Sequence, residues 1–133
     1  MIMILVFCFI CINSVKVEAQ SATLIASEVE ALKEIATQIG KNNWNFSVDP
    51  CSDDKSWVTP KSSVQFKNNV TCICFLSDGA WHVTTISLRG QDLAGVLPPS
   101  IAKLPYLINV DFSRNYLNGS IPREWASTKL QYL

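Results

Sequence analysis

Hydrophobic and polar positions alternate twice in the C-terminal half of the chain, and the two passages match each other. From His82 the chain runs HVTTISLRGQDLAGVLPPSIAKLP, and from Tyr106 it runs YLINVDFSRNYLNGSIPREWASTK. Ile86 and Leu88 alternate with Thr85, Ser87 and Arg89, while Val110 and Phe112 alternate with Asn109, Asp111 and Ser113. Each alternation predicts a short strand with one buried face. Val83, Ile86, Leu88, Leu93, Gly95, Leu97, Pro98 and Ile101 recur 24 residues later as Leu107, Val110, Phe112, Leu117, Gly119, Ile121, Pro122 and Trp125. A third start follows at Leu130 and Leu133. Strands repeated at a fixed period lie parallel, so these segments predict stacked coils.

Upstream the period changes. Val29, Leu32, Ile35 and Ile39 fall on one face at helical spacing. Ser27 and Glu30 have capping-box spacing, and Gly40 suits a helix C′ position, which together predict a helix over 27–39. A stripe of this size cannot be buried by the helix alone, so it covers the core of the downstream coils. Its polar face, with Glu28, Glu30 and Glu34 against one Lys33, argues against a membrane-surface helix. Residues 41–81 show no period and are expected to be an irregular loop fastened to the core. The apolar run Met1–Ile12 is too short to span a bilayer. With the small residues Val17 and Ala19 before a cleavage point, it predicts a signal peptide over 1–19; a membrane anchor or a buried strand are the competing readings. The expected organisation is therefore a signal peptide at 1–19, an N-terminal cap at 20–81, and repeats at 82–105, 106–128 and, in part, 129–133.

The corner YLNGSIP explains how a coil turns. Asn115 stands opposite Gln91 and is placed to hydrogen-bond backbone groups left unpaired between coils. Gly119 permits a backbone conformation closed to other residues, and Pro122 keeps the chain extended without needing a donor. The pattern L-x-x-L-x-L-x-x-N-x-L is that of a leucine-rich repeat, which predicts an α/β solenoid: a helical cap followed by two repeats with short parallel strands, truncated at the start of a third.

Composition narrows the function. The 133 residues carry 11 acidic and 11 basic side chains, so no net field draws in nucleic acid or an anionic membrane. One histidine, His82, read as a surface residue at the start of a coil, gives no recognisable Ser-His-Asp set, and no kinase motif is present; no catalysis and no cofactor are expected. Of the five cysteines, Cys8 and Cys11 would leave with the signal peptide. Cys51, Cys72 and Cys74 are available to fasten the 41–81 loop in an oxidising compartment. A Cys51–Cys72 bridge would close a loop of about 20 residues, worth roughly 3 kcal/mol. A zinc site is a poor fit, because C-x-C lacks the C-x₂₋₄-C spacing and a second pair. Asp53 and Asp54 are expected in a solvated turn rather than a calcium loop. Three sequons, at Asn45, Asn69 and Asn118, are candidate glycosylation sites.

The wording DPC…W, NNVTCIC, LAGVLP and LNGSIP resembles the N-terminal cap and plant-type repeats of leucine-rich-repeat receptor-like serine/threonine kinases. It is closest to the subgroup with a malectin-like domain. The resemblance covers residues 28–133. It implies a secreted or plasma-membrane ectodomain module, with a protein or peptide ligand or a co-receptor ectodomain as partner. It implies further repeats, a transmembrane helix and a kinase that this sequence does not contain. In the subgroup a fourth cysteine precedes His-Val-Thr; here that position is Trp81, which makes Cys74 an odd cysteine if Cys51 pairs with Cys72. The recognition surface of such a coil is its concave strand face, here Thr85, Ser87, Arg89, Asn109, Asp111 and Ser113, with Arg89 and Asp111 placed to pair. A soluble secreted inhibitor or decoy, and the first-exon portion of a full-length receptor kinase, are the alternative readings. Two coils leave Val110, Phe112 and Trp125 poorly covered, so self-association through the last coil is expected.

Overall fold

The computed structural model describes residues 23–60 and 63–133; the expected signal peptide lies outside them. Among these residues there is one α-helix, α1 (Ala26–Ile39), three strands, β1 (Asn69–Phe75), β2 (Ala80–Ser87) and β3 (Asn109–Asp111), and two 3-10 helices, Pro99–Lys103 and Arg123–Ser127.

Helix α1 buries Leu32, Ile35 and Ile39, as its spacing requires. Gly40 closes it in the left-handed region at φ 82°, and Lys41 N–H donates back to Ala36 O at 2.8 Å. Its start differs from expectation. Ile25 is the N-cap and no side chain caps it, so Ser27 and Glu30 do not form a capping box; Glu30 pairs with Lys33 at 2.8 Å instead. The start is fixed from outside the helix. Leu24 N–H donates to both Asp49 carboxylate oxygens, and Leu24 bridges Trp81, so the helix begins one residue earlier. Glu28 does not belong to the polar face: it is buried in the core.

The 41–81 region is not wholly irregular. Val70 alternates with Thr71 as a half-buried strand should, and β1 pairs antiparallel with β2 through a register shift after Thr71. β2 pairs parallel with β3, giving a sheet of order β1-β2-β3. β2 therefore lies across the expected boundary at 81/82, and cap and repeats share one sheet. His82, within β2, is buried rather than superficial, because the carboxylate of Glu28 meets its ring.

Coil stacks on coil through backbone hydrogen bonds 22–24 residues apart: Leu88 N–H to Asp111 O (2.7 Å), Tyr116 N–H to Leu93 O (2.8 Å), and Gln131 N–H to Ile108 O (2.8 Å). The Asn115 amide fills the gap between coils. Its Oδ1 accepts from Gln91 N–H and Leu93 N–H at 2.9 and 3.1 Å, and its Nδ2 donates to Leu88 O and Phe112 O at 2.6 and 2.9 Å. Gly119 sits at φ 84° and Pro122 is extended, which carries the chain to the second 3-10 helix. There Trp125 Nε1–H donates to Pro98 O at 2.8 Å. Val110, Phe112 and Trp125 are buried, against the expectation of poor cover, because the neighbouring coil and the segment to Tyr132 close over them; the exposed apolar residues at this end are Ile121, Tyr132 and Leu133.

The cap is tied to the coils on both sides. Cys51 and Cys72 are disulfide-bonded, joining the loop to β1. Cys74 is disulfide-bonded too, so the odd-cysteine reading does not hold. Trp44, Phe46 and Trp57 pack ring on ring in the loop, with Trp44–Trp57 centroids 4.9 Å apart. On the far side Glu34 and Gln38 grip the first 3-10 helix: Ser100 Oγ–H donates to Glu34 Oε2 at 2.7 Å and Gln38 Nε2–H to Ser100 Oγ at 2.8 Å. Gly95 lets the coil reach the end of α1, with Gly95 N–H donating to Ile39 O and Val96 N–H to Gln38 O.

Candidate recognition face

The face opposite Val70, Ile86 and Val110 is open. Register sets its rows. Thr71, Thr85 and Asn109 are direct partners across β1, β2 and β3, and Tyr132 bridges Asn109 from beyond the sheet edge. The next row holds Asn69, Ser87 and Asp111.

Of the predicted face residues, Thr85, Ser87, Asn109 and Asp111 fall in these rows and Arg89 and Ser113 follow just past the strand ends, but they are not equally free. Arg89 Nε–H and Nη2–H both donate to Asp111 Oδ2, at 3.1 and 2.9 Å, and Arg89 Nη1–H reaches Val64 O at 3.4 Å. Asp111 Oδ1 accepts from Ser113 N–H and Oγ–H at 3.0 and 2.6 Å. Partial burial raises the Asp111 carboxyl, yet the Ser113 bonds and Arg89 outweigh it and hold it below the ordinary range. Arg89, Asp111 and Ser113 thus form an internal, half-exposed network whose ion pair adds little stability. Ser87 is buried. Thr85 and Asn109 are partly exposed and bond to no other side chain among the described residues, so they can bond to something else.

Sequence reasoning missed Thr71, the exposed outer member of the Thr85 row, and Tyr132, its far member. The alternation through Val70 and Cys72 could have announced β1. Around the face, Ile73, Val64 and Phe66 are exposed apolar residues of the cap. The sequons differ in setting. Asn45 is exposed, with Oδ1 accepting from Ser47 N–H at 3.0 Å; Asn118 is exposed; Asn69 is half-buried, its Oδ1 accepting from Thr59 N–H and Oγ1–H at 3.0 and 2.8 Å. Among the described residues no group of three or more His, Cys, Asp or Glu could hold a metal ion, and no helix is long and apolar enough to cross a membrane.

A parallel sheet face with an asparagine threading the coils is the architecture of a leucine-rich-repeat solenoid, and comparison with known proteins agrees. The chain is similar to the LRR ectodomain of the receptor kinase SOBIR1 from Arabidopsis thaliana, with a TM-score of 0.60 and 25% identity over 84% of this chain and 53% of that one. Its relatives are plant leucine-rich-repeat receptor-like serine/threonine kinases. One probable kinase of this type from Arabidopsis thaliana is 50% identical over 113 residues, 83% of this chain. A second from the same plant is 47% identical over 110 residues, 80% of this chain. The chain spans 11% of the length of each. No protein-family model matches the chain.

Proposed function

We propose that this chain is the N-terminal extracellular recognition module of a receptor-like serine/threonine kinase of the subgroup with a malectin-like domain, itself without catalytic chemistry. Residues 1–19 act as a signal peptide, 20–81 form the cap, and 82–105 and 106–128 are two repeats with 129–133 opening a third. Glycans on Asn45, Asn69 and Asn118 accompany export. The ligand is a protein or peptide, or a co-receptor ectodomain, bound on the strand face. Self-association through Ile121, Tyr132 and Leu133 is a competing use of the last coil.

The row Thr71, Thr85, Asn109 and Tyr132 carries this reading: neutral donors and acceptors stand in register on an open sheet face. The test uses the full chain secreted from plant cells. Its N-terminus should be Gln20 and its mass should fall on deglycosylation. Probed against a panel of recombinant plant ectodomains and against itself, it should bind at least one. The double variant Thr85→Glu, Asn109→Arg should lose that binding without a change in unfolding midpoint. Retention of Met1, or binding indifferent to the double variant, would overturn the proposal.

A further inference from the structure

His82 is the only histidine of the chain, and carboxylates face both of its ring nitrogens. Nδ1 lies 2.5 Å from Glu28 Oε1, and Nε2 lies 2.7 Å from Asp78 Oδ2. The three groups come from three places: Glu28 from α1, His82 from β2, and Asp78 from the turn between β1 and β2. Glu28 is 1% exposed, and its other oxygen accepts from Val83 N–H at 2.8 Å. His82 is 3% exposed. Tyr106 stacks on its ring with centroids 4.1 Å apart, and Phe75 meets it edge-on at 5.6 Å. Lys129 Nζ stands over the Tyr106 ring, 5.8 Å from the centroid. Asp78 differs from Glu28 in one respect that matters: 41% of its side chain is exposed.

A neutral imidazole has one N–H and one lone pair, so it can donate to only one of two carboxylates. The imidazolium donates to both. Desolvation works against the charged ring, but the hydrogen bonds and charges of Glu28 and Asp78 outweigh it and hold the His82 pKa above its ordinary value. The same contact, chiefly the His82 hydrogen bond, holds the Asp78 carboxyl below its ordinary range. When the ring loses a proton, the two bonds are not equivalent. Glu28 is closed off from solvent, whereas Asp78 is open to it. The proton therefore leaves Nε2 for solvent, and the Nδ1–H bond to Glu28 stays.

We propose that His82 is a proton-operated clasp: charged, it holds α1 and the 76–79 turn together, and on deprotonation it keeps α1 and releases the turn. The turn joins β1 to β2, so release loosens the outer edge of the sheet that carries Thr71 and Thr85. Since the folded pKa is raised, the clasp contributes fully below the unfolded value of about 6.5 and is lost as pH rises through the folded value. Across that window the folding equilibrium constant falls by up to tenfold per pH unit. Lys41 acts in the opposite sense. Burial pulls its ammonium down to about 8, so its contribution raises stability as pH climbs from there toward its unfolded value. Lys41→Met removes that contribution.

One histidine gives one imidazole titration curve, so NMR of the full chain reads the clasp directly. We expect a His82 midpoint above 6.5, with the amides of Ser77, Asp78 and Gly79 shifting at that same midpoint while the Val83 amide stays protected from exchange. In Asp78→Asn the midpoint should fall and the turn amides should stop following pH, with the fold intact. A wild-type midpoint at or below 6.5, turn amides that do not track His82, or a midpoint unmoved by Asp78→Asn would each overturn the proposal; the first two need no variant.

Discussion

Gly95 tests whether the cap and the coils form one structure or two that merely touch. A Cβ at this position would fall 2.3 Å from Gln38 O, 2.6 Å from the Ile39 carbonyl carbon and 2.9 Å from Ile39 Cα. All three are backbone atoms, so no side chain can rotate away. Gly95→Ala must push the end of α1 back by about 1 Å to restore ordinary contact. That strains both bonds between the two backbones, Gly95 N–H to Ile39 O at 3.2 Å and Val96 N–H to Gln38 O at 3.0 Å. Overpacking costs about 1–3 kcal/mol and two weakened hydrogen bonds about 1 kcal/mol each, about 3–5 kcal/mol together. For a domain of this size the unfolding midpoint should drop by about 10–20 °C. Gly119 stands in the same register one coil later and provides the control. A Cβ there would meet only Val96 Cγ1, at 3.8 Å, so the cost of Gly119→Ala is its φ of 84° alone, about 1–2 kcal/mol. Thermal and urea unfolding followed by tryptophan fluorescence compares the two. A Gly95→Ala midpoint equal to or above that of Gly119→Ala would refute the claim that close backbone approach fixes the cap.

Asn115→Ala removes both acceptor bonds and the Nδ2 donors between coils, and should destabilise by about 2–4 kcal/mol; Asn115→Asp, which keeps only the acceptor side, should fall between, and an alanine variant as stable as wild type in urea would contradict the bridging role. Replacing Cys51 and Cys72 together by alanine opens a loop closed over a separation of 21 residues and should cost about 3 kcal/mol, read as a lower denaturation midpoint; an unchanged midpoint would show that the Trp44–Trp57 cluster alone holds the loop.

The coils were legible because stacking makes every turn of chain solve the same problem. Ile86 and Val110 must both point into one core, and Asn115 must both donate and accept in the gap, so the same residue types return at the same interval. The Arg89–Asp111 pair followed from that register. The cap offers no such repetition. β1 pairs antiparallel with β2, and its Val70/Thr71 alternation coincides with a sequon and two cysteines that draw attention to other chemistry. A carboxylate on a helix is ordinarily exposed, so the sequence alone places Glu28 in solvent. Its partner His82 is 54 residues away, with no local spacing to connect them. Ser27 and Glu30 had the spacing of a capping box, yet the helix start was decided by Asp49 and Trp81, which no periodicity in the helix itself encodes.

The misses at Glu28, His82 and the helix start share a cause: each lies where α1 meets something distant in sequence. The helix is held near its start by Glu28 on His82 and Val83, in its last turns by Glu34 and Gln38 on Ser100, and at its end by Ile39 on Gly95. Glu28 and Ile39 stand about 16 Å apart along the axis at 1.5 Å per residue. The first contact is to a strand of the sheet, and the others are to the opposite, 3-10 side of the same coil. A helix pinned to both sides of one coil acts as a strut between them. The Thr71–Thr85–Asn109–Tyr132 row includes β2, one of the two sides so pinned, and direct cross-strand partners stay level only while the strands keep their register. The cap therefore belongs to the candidate recognition face twice, once by supplying Thr71 and once through the contacts of α1 with β2.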